Sequence, residues 1–147
     1  MNDVVRSLAT LCCALFFGAA LYISLVQHPA ALEAGNEMYL RYFPAMYRRA
    51  AVLQGGTAVL GFLAGLVAWR ISNNRLWLAA AILLGSVVPL TLLVIKPVND
   101  VLMSQDASRS ADVGALFAQW GRLHLIRTIA SGAALFCCLA SLSRRAQ

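Results

Sequence analysis

Four apolar stretches, residues 8–26, 50–69, 76–95 and 123–142, carry almost no charge and leave this chain few folds to choose from. Each reaches the roughly 20 residues that an α-helix needs to cross a hydrocarbon layer about 30 Å thick. Strands do not fit, because a membrane barrel needs shorter, alternating segments that close on themselves. At 147 residues the chain has the size of one domain, yet it is 61% hydrophobic with a mean hydropathy of +0.73, more than a soluble core of that size can hide. The excess faces lipid. The expected fold is all-α, an integral membrane four-helix bundle forming a single domain over residues 1–147, with two longer loops on one side. The first stretch follows Arg6 as a secretion signal would, but its apolar run exceeds the roughly 7–15 residues of a signal core. It is expected to stay attached as a span.

The formal net charge is +6, which in a soluble domain would point to nucleic acid. Here the twelve Lys and Arg residues are scattered among loops and helix ends with no basic stripe, so no nucleic-acid partner is expected and the lipid bilayer is the primary one. An even number of spans puts both termini on one side. Arg6, Arg70, Arg75, Arg144 and Arg145 share that side, against Arg41, Arg48, Arg49, Lys96, Arg109 and Arg122 on the other. The first set lies in much shorter segments, where the positive-inside bias acts most strongly, so the termini are assigned to the cytoplasm. The four cysteines form two adjacent pairs, Cys12 with Cys13 and Cys137 with Cys138, inside spans. Neighbours on a helix point about 100° apart and lack metal-ligand or Cys-x-x-Cys spacing, which favours apolar packing over redox or metal chemistry.

This layout leaves two long connections, residues 28–49 and 96–122, opposite one tight turn around residues 72–74. The first contains an aromatic and basic run, residues 38–49, suited to lying in the interface or folding back over the bundle. Pro97 is expected to end the third span, with Asn99 or Asp100 capping a short helix after it, and the fourth helix is expected to begin near Asp112. Gly61 and Gly65 make a small-xxx-small pair, and Gly55, Gly56 and Gly132 are read as further points of close backbone approach. Pro89 should kink the third span and free a carbonyl near Gly85.

Polar groups gather at the long-loop end of the spans. His28 closes the first, Gln54 lies a turn inside the second, and Lys96 and Asn99 flank the end of the third. Trp120, His124 and Arg127 follow at intervals of four and three residues, which puts an aromatic plate, an imidazole and a guanidinium on one helical face. Such a face could grip an anionic aromatic ligand. Arg127 is the sharpest feature, since a permanent charge a turn into an apolar segment costs a few kcal/mol unless it snorkels, pairs or faces water. The acids lie in the loops (Glu33, Glu37, Asp100, Asp106, Asp112), so an ion pair would have to be recruited from outside the helices. His28 and His124 are the candidate proton-abstracting bases. Two imidazoles without a third ligand make a weak metal site, and no metal is expected.

At these residues a resemblance emerges. His28-Pro29-Ala30, the run Tyr47-Arg48-Arg49-Ala50-Ala51-Val52-Leu53-Gln54, Pro97-Val98-Asn99 and Trp120-Gly121-Arg122-Leu123-His124-Leu125-Ile126-Arg127 resemble the anthrone oxygenase-like membrane family. The likeness runs from about residue 18 to residue 134. It leaves out the cysteine pairs and Arg144-Arg145. The resemblance implies a small four-helix membrane protein and, for fungal polyketide-pathway members, oxygenation of an anthrone to an anthraquinone without metal or flavin, so no cofactor is expected. In that scheme His124 or His28 takes the proton. Arg127 and Lys96 stabilise the anion, Trp120 and Tyr47 stack on the rings, and Asn99 and Gln54 orient carbonyl or hydroxyl oxygens, with Arg48 added to the substrate-binding set. The partner would be a hydrophobic aromatic small molecule, and the location the bacterial inner (cytoplasmic) membrane. A noncatalytic binder of lipid or quinone, or an assembly subunit, stays open as the alternative. A transporter is less well supported, because one four-helix chain offers no obvious internal inverted repeat or central ion relay, although a homo-oligomer could supply one.

Overall fold

The computed structural model describes residues 2–104 and 112–144; Asp106, Arg109 and Arg145, counted above among the loop acids and orienting charges, lie outside them. The described residues form helices and turns with no strand. In chain order they are α1 (Asn2–Tyr22), a π-turn (Ile23–Gln27), α2 (His28–Glu33), α3 (Asn36–Ser72), α4 (Arg75–Leu90), a second π-turn (Thr91–Ile95), α5 (Lys96–Met103) and α6 (Val113–Ser143). Four continuous helical stretches are long and apolar enough to cross a membrane, and the protein is an integral membrane protein. The helices α1, α3, α4 and α6 pack in a closed ring in which α1 faces α4 and α3 faces α6 across the centre.

Local chemistry sets the boundaries. Asn73 adopts the left-handed conformation at φ 51° to close α3, and Asn74 caps α4 by accepting from the Leu76 N–H at 3.0 Å. The amide of Asn74 then donates to Ser141 Oγ at 2.8 Å, tying the turn to α6. Gly35, at φ 93°, makes the bend between α2 and α3 that a side chain would strain. Asp112 caps α6 at the expected place, accepting from the Ala115 N–H at 3.1 Å.

The connection over residues 28–49 is helical almost throughout. It is α2 followed by the first turns of α3, a helix of 37 residues that at 1.5 Å per residue is roughly 55 Å long and outruns the bilayer core. Pro97 does not end the third span. The helix passes through it, because the turn before it widens: the Lys96 N–H bonds to the Thr91 carbonyl, five residues back. The His28 N–H reaches Ile23 in the same way, just before Pro29. A proline ring clashes with the carbonyl four residues earlier and supplies no N–H, and one wide turn ahead of it relieves both conflicts. Each half of the chain thus repeats one plan: helix, π-turn, proline, short helix, long helix.

Two cores result. Ala9, Cys13, Phe16, Ala58, Trp77 and Leu84 belong to the one inside the spans, and Tyr39, Phe43, Phe117, Trp120 and Leu102 to an aromatic one at the π-turn end. Close helix packing in the first depends on missing side chains: a Cβ on Gly65 would stand 3.0 Å from Ala81 Cβ, and one on Gly61 2.8 Å from Cys12 Cβ. Gly132 meets the Phe17 ring in the same way, whereas Gly55 and Gly56 face open space. Cys13 and Cys138 are buried as free thiols with their sulfurs 3.7 Å apart, a pairing across α1 and α6 that sequence spacing does not announce.

Candidate functional site

Between the two cores the ring opens into a cavity of about 170 Å³. Phe16, Ala58 and Val87 line it from the inner core, Ile23, Ile95 and Trp120 from the aromatic one. Its polar wall comes from three elements. Gln54 projects from α3, Asn99 from α5, and His124 and Arg127 from α6. All four are at most 7% exposed.

Arg127 does not snorkel to the headgroups. Its Nη2 donates to Gln54 Oε1 at 2.6 Å, reaching across the centre of the ring, and its guanidinium stands 5.1 Å from the Phe16 ring centroid. An amide oxygen is therefore its partner, which fits a sequence with no acid in the adjacent spans. Trp120 Nε1 donates to Asn99 Oδ1 at 2.8 Å. These two bonds fix both amides, because arginine and indole can only donate. The amide nitrogens must then be the free ends, and both Gln54 Nε2 and Asn99 Nδ2 are buried without a partner, as is Arg127 Nε. Three N–H donors on cavity-lining residues are thus left unsatisfied, each a cost of about 1–3 kcal/mol unless something accepts from it.

His124 forms part of the partition. It and Trp120, stacked with centroids 4.9 Å apart, line both this cavity and a second one of about 170 Å³ bounded by Ser24, His28 and Gly121. His124 Nδ1 lies 3.1 Å from Ser24 Oγ, which lies 3.0 Å from Thr128 Oγ1. The Thr128 hydroxyl faces the carbonyls of His124 at 3.1 Å and Ala20 at 3.4 Å. Carbonyls only accept, so every contact in this network is satisfied when Thr128 donates to a carbonyl, Ser24 to Thr128 and His124 Nδ1–H to Ser24, which assigns the ring the Nδ1–H tautomer. In the neutral ring that leaves Nε2 as the basic nitrogen. His28 packs over Gly121, where any Cβ would enter its ring, and its Nδ1 meets the Tyr39 hydroxyl at 2.8 Å.

Of the residues singled out in the sequence, Tyr47, Gln54, Asn99, Trp120, His124 and Arg127 meet on the first cavity. His28 joins the second. Lys96 and Arg48 do not line either cavity. Lys96 is exposed on the outer face of α5, paired with Asp100 at 2.6 Å, because the helix continues past Pro97 and sets residues 96 and 100 one turn apart. Arg48 is exposed on α3, one position past Tyr47 and turned away from the ring. Among the described residues no three His, Cys, Asp or Glu side chains gather around a point fit for a metal ion. Ser24 and Thr128 were not singled out; each lies four residues from a histidine, an interval that one helical face would have suggested.

The sequence matches the anthrone oxygenase family over residues 43–137, more than half of the chain. The protein belongs to that family. The matched segment holds Tyr47, Gln54, Asn99, Trp120, His124 and Arg127 but starts after Phe16, Ser24 and His28, so it covers the cavity wall except for the part built by α1 and the first π-turn. No curated protein and no solved structure matches the chain.

Proposed function

We propose that this anthrone oxygenase family member is an oxygenase for a phenolic aromatic compound of the anthrone type, working without metal or flavin, with the larger cavity as its active site. One observation carries the reading: Gln54 Nε2, Asn99 Nδ2 and Arg127 Nε are three buried donors without acceptors, all on residues that line one largely apolar cavity. A flat polyketide-like ligand with carbonyl and phenolate oxygens supplies such acceptors, and Trp120 and Tyr47 offer faces for its rings.

The chemistry follows from the residue types. His124 Nε2 removes a proton from the activated methylene carbon, giving a carbanion whose charge spreads onto the phenolate and carbonyl oxygens. Arg127 and the two amides stabilise that charge in a site of low dielectric. The electron-rich anion reduces dioxygen by one electron, and the two radicals combine into a C–O–O bond. The imidazolium returns its proton to the peroxide. Loss of the second C–H proton with cleavage of the O–O bond then gives the ketone and water. In balance, one methylene group and one dioxygen molecule become one carbonyl group and one water molecule. The cytoplasmic side for both termini and the bacterial inner membrane complete the proposal, on the short Arg-bearing segments at the Asn73 end.

Oxygen uptake by purified protein with anthrones, after metal chelation, tests the reaction. Turnover by the wild type that falls by about two to four orders of magnitude in a folded His124→Ala variant is the expected result. Absence of turnover from well-folded wild type would leave a noncatalytic binder as the reading.

A further inference from the structure

We propose that the larger cavity fills from the lipid phase, through a slot between Ala51 and Gly55 of α3 and Thr91 and Leu92 of the second π-turn, so that its ligand is a membrane-dissolved aromatic. The proposal rests on that cavity being the ligand site.

The slot follows from the π-turn. α3 packs along α4 and again along α5 but hardly touches the wide turn between them. Ala51, Gly55 and Leu92 line the cavity and are nevertheless exposed on the outside of the ring. Their neighbours Val52, Leu53 and Leu93 are 78%, 57% and 76% exposed, an apolar surface at the depth of the spans. In membrane helices small residues ordinarily let backbones touch, as Gly61 and Gly65 do here. A Cβ on Gly55 would meet nothing within 4 Å, so packing gives no reason for a glycine there, and an opening does. Towards the π-turn end lies the aromatic core, where Phe43 and Phe117 are fully buried.

Size and chemistry choose the occupant. Cavities of roughly 150 Å³ hold a single benzene ring, so a multi-ring ligand in about 170 Å³ must extend into the slot. A lipid acyl chain would fit the slot but carries no acceptor for the three donors behind it.

The test uses the full chain in nanodiscs and a hydroxyanthraquinone probe followed by its own absorbance. Gly55→Phe should slow probe association by about tenfold or more, with the melting temperature unchanged, while Val52→Phe, on the same outer surface but off the cavity, associates at the wild-type rate. At fixed probe concentration, added lipid should lower the rate in proportion to the probe per lipid. Equal rates in wild type and Gly55→Phe, equal slowing in both variants, or a wild type that binds no probe would overturn the proposal. Binding through the slot without oxygen uptake from anthrones would refute the oxygenase reading and leave the slot standing.

Discussion

Replacing Gln54 by Leu should destabilise the bundle sharply, and removing Arg127 as well should add little to that loss. Arg127 is 7% exposed, and Gln54 Oε1, at 2.6 Å, is the acceptor for its guanidinium across the ring. Leu keeps the volume of Gln but accepts nothing. A hydrogen bond to a charged group contributes about 1.5–3 kcal/mol, and stranding a buried charge costs about 3–5 kcal/mol when no water reaches it. The cavity of about 170 Å³ beside Arg127 has room for water, so about 2–3 kcal/mol is the expected loss, a melting shift of roughly 5–10 °C for a chain of this size. Arg127→Met leaves the Gln54 amide unpaired at about 1–2 kcal/mol. The double variant leaves neither group stranded, and its loss should fall short of the sum by at least about 1.5 kcal/mol. Reversible unfolding in mixed micelles over a graded fraction of denaturing detergent measures all four corners of the cycle. A Gln54→Leu loss below about 0.5 kcal/mol, or strict additivity, would refute the reasoning that the pair satisfies a buried cation.

Ser24→Ala removes the acceptor that holds the His124 Nδ1–H; nitrogen NMR of ring-labelled protein should show the Nδ1–H form in wild type and a mixture of tautomers in the variant. Gly65→Ala should cost about 1–3 kcal/mol, since the new Cβ meets Ala81 Cβ at 3.0 Å and its Cα at 3.3 Å, whereas Gly55→Ala, with nothing within 4 Å, should be neutral or stabilise by up to about 1 kcal/mol in the same unfolding assay. Lys96→Met removes an exposed charge off the cavity, and oxygen uptake should stay within about twofold of wild type with stability changed by less than about 0.5 kcal/mol.

The spans were legible because hydrophobic length is a property of composition in a window, and the fourth-helix face was legible because residues 120, 124 and 127 fall on one side of any α-helix. Arg127 stood out for a similarly local reason, its charge in an apolar run. Its partner was harder to read. The pair with Gln54 joins helices that face each other across the ring, and only the packing order decides that. Pro97 misled because a local rule, that the residue before proline leaves the helix, ignores the wide turn that lets the helix continue. Lys96 and Asn99 share α5 beyond that turn, the first exposed beside Asp100 and the second fully buried. Gly55 and Gly61 look alike in sequence, yet one faces open space and the other a cysteine, a distinction that rests on which side of α3 the neighbouring helices occupy.

The most direct measurement is an experimental structure of the wild-type protein in lipid with a bound hydroxyanthraquinone. Ring oxygens within about 3 Å of Gln54 Nε2, Asn99 Nδ2 and Arg127 Nε, with the rings against Trp120, are the expected result. A ligand bound elsewhere, or those three donors saturated by protein or lipid groups with the cavity closed, would contradict the assignment of this cavity as the active site.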